Sequence, residues 1–367
     1  MTTCLTTNGP SVYRTARPTE ELVVATADGV ATLRRQSSGE WVLTNRALAG
    51  RQVNAVLREP REGALFAGLH NGGVYASFDG GQSWQPRSRG IAHDDVFTLA
   101  SIERDGQTIL YAGTEPAHLY QSADYGESWE EVTSLQDAPS APKWKFPAPP
   151  HYAHVKDVVF DPRDPHHMYV GVETGALLES KDSGQTWREL EGYCAPEAWN
   201  YKDLHHIMLR PSNPDEIYLA TGEGLVYSPD AGETWEFLHD NQSRISYPLA
   251  VLLSPHDDPL LFLAGARWHP GHWRTKPDAD GGIVRSRDGG RTWEELKRGL
   301  PDHLYGDYEA LCMNVYDGGY TLFVGSTDGD VYASDDDGDT WTRIAERVGA
   351  ISKGGHYERL PSRWDAA

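Results

Sequence analysis

Cysteine is scarce in this chain of 367 residues. Cys4, Cys194 and Cys312 are too few and too scattered for a disulfide framework or a paired-cysteine metal site. Positive charge is short as well: 33 Lys and Arg stand against 54 Asp and Glu, a net charge of −21. A nucleic-acid or anionic-membrane surface needs clustered Lys and Arg, so both partner classes are disfavoured. No run approaches the roughly 20 apolar residues of a membrane-spanning helix. The start, MTTCLTTNGPS, has neither a basic n-region nor an apolar h-region, so no signal peptide is expected. The expectation is a soluble, cytoplasmic, monomeric protein.

One short motif is abundant. Ser-x-Asp-x-Gly-x-(Ser/Thr)-Trp recurs six times: SFDGGQSW from Ser77, SADYGESW from Ser122, SKDSGQTW from Ser180, SPDAGETW from Ser228, SRDGGRTW from Ser286 and SDDDGDTW from Ser334. A repeat of roughly 40–50 residues built from short strands around a fixed turn signals a β-propeller. The carboxylates of Asp79, Asp124, Asp182, Asp230, Asp288 and Asp336 suit a structural role, accepting N–H groups of their own turns. The Trp is large enough to fill the wedge between sheets.

These motifs resemble the Asp-box, or BNR, repeat. Propellers with it include sialidases, sortilin-type receptors, photosystem II assembly factors and bacterial proteins described as sialidase-like. The resemblance covers nearly the whole chain and implies an all-β propeller, which the strand count below makes seven-bladed with six blades as the runner-up, but the repeat sits on enzymes and scaffolds alike. The sialidase family's Arg-Ile-Pro motif is absent here. Xyloglucanase-type relatives would use two Asp in a cleft between two propellers, and this chain has length for one. Ordinary glycoside hydrolysis is therefore disfavoured.

Blade counting gives one domain over residues 1–367. Each box follows a strand pair of one type, with an apolar strand before it and an outer strand after it. Blades one to six run over about 51–347. A seventh pair, ELVVATADGVATL, has no inner strand before it. The segment GAISKGGHYERL is strand-like, so blade seven is expected to join 20–48 with 349–360 and thereby remove free sheet edges.

The elaborated face carries the function candidates. Long insertions occupy 136–154, 191–202 and 267–282, all on the side of the B–C and D–A connections, where strands A to D run from the axis outward. Long loops in a compact array are usually functional. Trp144, Trp199, Trp268 and Trp273 lie in them, and flat indoles suit sugar rings, aromatic ligands or cations. Histidines gather where inner strands begin, near the channel mouth.

The expected ligand-binding set is His93, His154, Lys156, His205, His356 and Glu173, overhung by Trp144 and Trp199. Arg267 and His269 in the blade-five insertion form a second locus. His154, His205 and His356 are candidate ligands for a divalent transition metal, the one cofactor considered. The reading is a small polar or aromatic ligand at this mouth, with metal-assisted lyase, hydrolase or oxidoreductase chemistry as an option. The alternative is a non-catalytic scaffold that clamps a peptide.

Overall fold

A computed structural model describes residues 2–194, 202–239, 244–256, 258–273 and 275–352. These residues form seven sheets, one per blade, antiparallel except where two N-terminal strands join blades six and seven in parallel. Among them no helix is long and apolar enough to cross a membrane. Blade one holds Val53–Arg58, Leu65–Leu69, Gly73–Ser77 and Gln85–Pro86. Blade three repeats the plan with His154–Phe160, Met168–Glu173, Ala176–Ser180 and Arg188–Leu190. The inner strands are apolar on both faces because each is sandwiched between neighbouring blades. Val155, Val158, Val170 and Val172, for example, are buried in one cluster with Ala100 and Tyr111 of blade two.

The repeated turns behave as their composition dictates. In blade three the hydroxyl of Ser180 donates to Asp182 Oδ1 at 2.8 Å. The same carboxylate accepts the N–H of Thr186 at 2.8 Å and its hydroxyl at 2.6 Å. Hydrogen bonds from Ser83 and Thr292 hold the carboxyls of Asp79 and Asp288 down to about 2. Trp129 Nε1 donates across to the Arg87 carbonyl of blade one at 2.7 Å, whereas Trp84 and Trp293 donate to the Gly81 and Gly290 carbonyls of their own boxes. Gly90, at φ +101°, lies so close to the Trp129 carbonyl that a Cβ there would collide with it.

Closure of blade seven differs from the expectation. Its inner strand is β1, Thr2–Leu5, which runs parallel to β3, Glu21–Thr26, with Cys4 opposite Val23. The segment 349–360, expected in that place, is described only over 349–352. Its described part, 349–352, instead lies across the turns of blades six and seven: Ala27 N–H donates to the Ala350 carbonyl and Ile351 N–H to the Ser326 carbonyl. The physical reason is burial. Leu5 enters the cluster of Leu22, Val24, Leu33 and Phe323, and Ile351 packs on the same cluster beside it.

The chain then turns back through the centre. Asn8 bridges to Ala55 of blade one, and β2, Val12–Arg14, pairs in parallel with Ala310–Tyr316, the innermost strand of blade six. Between them, Asn8 Nδ2 donates to the Asn54 carbonyl at 3.1 Å, and Lys156 of blade three donates to Asn8 Oδ1. Residues 2–14 thus touch inner strands of blades one, three, six and seven. The channel whose mouth was expected to be lined by histidines is thus crossed by a segment of the protein's own chain.

Candidate functional site

The 136–154 insertion builds a concavity on the elaborated face. Two short 3-10 turns, Thr133–Asp137 and Ala141–Lys143, fold it back over blade three. Gln136 ties it to the Ala117 carbonyl at 2.7 Å, and Ser140 N–H donates to Glu189 Oε1 at 2.6 Å. Thr174 Oγ1 donates to the Lys145 carbonyl at 2.6 Å. Trp144 is half-buried; its indole N–H donates to Ser140 Oγ at 2.7 Å. Gly175 gives it room, since a Cβ there would stand 3.1 Å from Trp144 Cδ1. The resulting cleft has a volume of about 890 Å³ and is lined by Trp144, Phe146, His151, Glu189 and Glu191 with Lys143, Lys145 and Lys202.

The lysines are the unexpected part. The whole chain has 8, and 3 of them line this one cleft. Lys202 pairs with Glu191 at 2.9 Å, while Lys143 and Lys145 are exposed. On a protein of net charge −21 this is a local concentration of positive charge beside an indole.

Beneath the cleft lies a buried polar layer. His154 is fully buried between Glu173, 2.8 Å from Nε2, and Glu115, 3.2 Å from Nδ1. Burial opposes its protonation, but the two carboxylates outweigh it and raise its pKa. Phe97 stacks on the ring at 3.7 Å between centroids, and Phe146 from the insertion covers it from the side. Lys156 stands 3.8 Å from Glu173. In blade four, His205 Nδ1 lies 2.7 Å from the Pro248 carbonyl, and its Nε2 faces Tyr247 Oη at 3.1 Å and Asp203 Oδ2 at 3.4 Å.

The comparisons with known proteins fit this architecture. The family model described as DUF6242 beta propeller domain matches residues 6–320. The chain belongs to that family. This DUF6242 propeller is also 25% identical over 225 residues to a xyloglucanase of Paenibacillus sp, a match covering 52% of the chain and 21% of that protein. It is 27% identical over 223 residues to the xyloglucanase Xgh74A of Acetivibrio thermocellus, covering 51% and 25% respectively. The chain therefore spans a quarter or less of the length of these curated relatives. Among solved structures, an ancestral GH74 enzyme superposes with a TM-score of 0.62 at 18% identity, over 81% of this chain and 39% of that one. YCF48 from Cyanidioschyzon merolae gives 0.50 at 14%, over 80% and 84%. Both likenesses show the fold.

The structure of the DUF6242 propeller sorts the expected site residues into groups. Trp144 lines the cleft. His154, Lys156 and Glu173 do meet, and His205 is close to Glu173, but all four are buried and do not line an open mouth. Asn8 of the N-terminal segment covers Lys156, Phe146 covers His154, and Tyr247 covers His205. His93 stands apart in blade two, stacked on His118 at 4.0 Å and bonded to Tyr120 Oη at 2.9 Å. Arg267 and His269 form their own group in the blade-five insertion, where Arg267 lies over Trp268 and pairs with Asp280 at 3.5 Å. Trp199 and His356 lie outside the described residues. Sequence reasoning missed Asn8, Tyr247, Lys143 and Lys145; the uneven placement of lysine along the chain was the available signal for the last two.

Proposed function

We propose that this protein is a saccharide-binding module that holds its ligand in the cleft beside Trp144. The observation that carries the reading is the combination in one 890 Å³ cleft of a half-buried indole with Lys143, Lys145 and Lys202. An indole face stacks on the apolar face of a sugar ring. The lysines favour sugars that bear carboxylates. The xyloglucanase relatives support a polysaccharide as the ligand class. Binding is assigned rather than hydrolysis. The carboxylates that line the cleft are already engaged, Glu189 by the Ser140 N–H and Glu191 by Lys202, whereas glycoside hydrolysis needs an acid and a base poised across the scissile bond.

The test is calorimetric titration with oligogalacturonate and with xyloglucan oligosaccharides. The expected result is binding of the acidic oligomer, weakened by added salt and at least tenfold weaker in Trp144→Ala. Equal affinity of Trp144→Ala and the parent, or no binding of either sugar, overturns the reading. A second reading, a peptide clamp, is supported by Pro139 and Pro147 at the cleft and by Tyr152, 52% exposed, on the same insertion. It predicts capture of proline-rich or acidic peptides by the same indole.

A further inference from the structure

Proton counting in the buried layer singles out one place. The Pro248 carbonyl can only accept, so His205 Nδ1 carries a hydrogen and donates it at 2.7 Å. In the neutral imidazole Nε2 is then a lone pair. That lone pair faces Tyr247 Oη at 3.1 Å and Asp203 Oδ2 at 3.4 Å, and Tyr247 Oη lies 3.0 Å from the same Oδ2. Three electron-rich atoms share the single phenolic hydrogen. It can serve one contact; the remaining contacts set lone pair against lone pair. One more positive charge is needed at the centre of this triangle, a proton or a metal ion.

The surroundings favour the metal. Glu173, Asp203 and His205 each offer a ligand atom, all within 4.8 Å of one another and all buried. A tetrahedral ion with bonds of about 2.0–2.1 Å needs ligand atoms roughly 3.3–3.4 Å apart, and Nε2 and Oδ2 already have that spacing. A backbone carbonyl that fixes the second ring nitrogen is the usual support of a metal-bound histidine. Glu309 adds its field to those of Asp203 and Glu173 around Tyr247, so the pocket carries buried negative charge. His154 and Lys156 both approach the same oxygen of Glu173, Oε2.

We propose that Glu173, Asp203 and His205 form a closed site for one divalent first-row transition ion of the zinc class. It would join blade three to blade four, with Tyr247 of blade five beside it. The ligand set departs from the one the sequence suggested, keeping His205 and replacing the other histidines by carboxylates. Because the site is sealed, its role is structural, and it loads as the chain folds.

The experiment is refolding from denaturant with and without zinc chloride. Extensive dialysis follows, then metal analysis and a thermal melt. The expected result is one zinc per chain and a raised Tm in the parent. Asp203→Asn keeps an oxygen for the Tyr247 hydroxyl but should refold without zinc, with its Tm indifferent to the metal. His205→Gln is the second variant and should behave alike. A parent that refolds zinc-free, or zinc retained equally by both variants, overturns the proposal. So does a nitrogen NMR spectrum of the zinc-refolded parent showing His205 as imidazolium, since the extra charge would then be a proton.

Discussion

Leu5 offers the sharpest test of how the ring closes. It is fully buried among Leu22, Val24, Leu33, Phe323 and Ile351, and one of its methyl carbons would lie 3.2 Å from a Cβ at Gly325. That neighbour is backbone, so the wall cannot collapse into a void. Leu5→Ala should therefore cost about 3–5 kcal/mol, the upper part of the range for buried leucines. With a denaturant slope of about 3 kcal/mol/M in urea, the midpoint should fall by about 1 M or more. Equilibrium urea unfolding followed by tryptophan fluorescence reads this directly. Were the inner strand of blade seven supplied by 349–360, Leu5 would sit in a tail and its truncation would cost less than about 0.5 kcal/mol. A midpoint unchanged within error would refute the closure by Thr2–Leu5.

Two further outcomes are expected. Asp182→Ala deprives Thr186 and Ser180 of their acceptor on the face opposite the cleft, so stability should fall by about 1 kcal/mol while sugar affinity stays unchanged; lost affinity at full stability would place the ligand on the box face. Burial pushes the Asp157 carboxyl up to about 7, although it accepts the N–H groups of Val158 and Ile207. Its unfolded value is about 3.9, so the folded state holds an extra proton between about pH 4 and 7, and its contribution to stability is lost as pH rises through that window. Asp157→Asn, which mimics the protonated acid, should gain on the parent by up to about 4 kcal/mol from pH 4 to 8. Parallel stability curves for the two proteins would show that Asp157 is ionised throughout.

The blades were legible because each carries its own turn. Six copies of Ser-x-Asp-x-Gly-x-(Ser/Thr)-Trp mark six outer hairpins, and the strand pairs before them read as apolar runs. Thr2–Leu5 was not legible. It is four residues long, has no hairpin turn, and pairs in parallel with a strand 16 residues further on, so no local signal marks it. GAISKGGHYERL has the better strand composition, and local composition prevailed in the reading. The 136–154 insertion was visible by its length and its indole. That His154 and His205 would converge could be read from their places at inner strands. Their burial could not, because Asn8 and Phe146, which close the layer from two sides, approach from segments with no repeat to align them.

The N-terminal segment through the centre also constrains the timing of folding. Tyr13 and Asn314 are bonded across 301 positions, and Arg46 reaches Val348 across 302. At ribosomal speeds of about 5–20 residues per second, roughly 15–60 s pass between synthesis of the two partners. Throughout that interval β1 and β3 can pair, since both are made first, but Leu5, Leu22 and Val24 lack the partners Ala310, Cys312 and Phe323 that blade six will bring. The early blades can stack as they emerge, but the last step is a long-range one. A chaperone that shields an apolar sheet face would act on this nascent chain at blade seven, and a chain released early would expose that same face to a second copy.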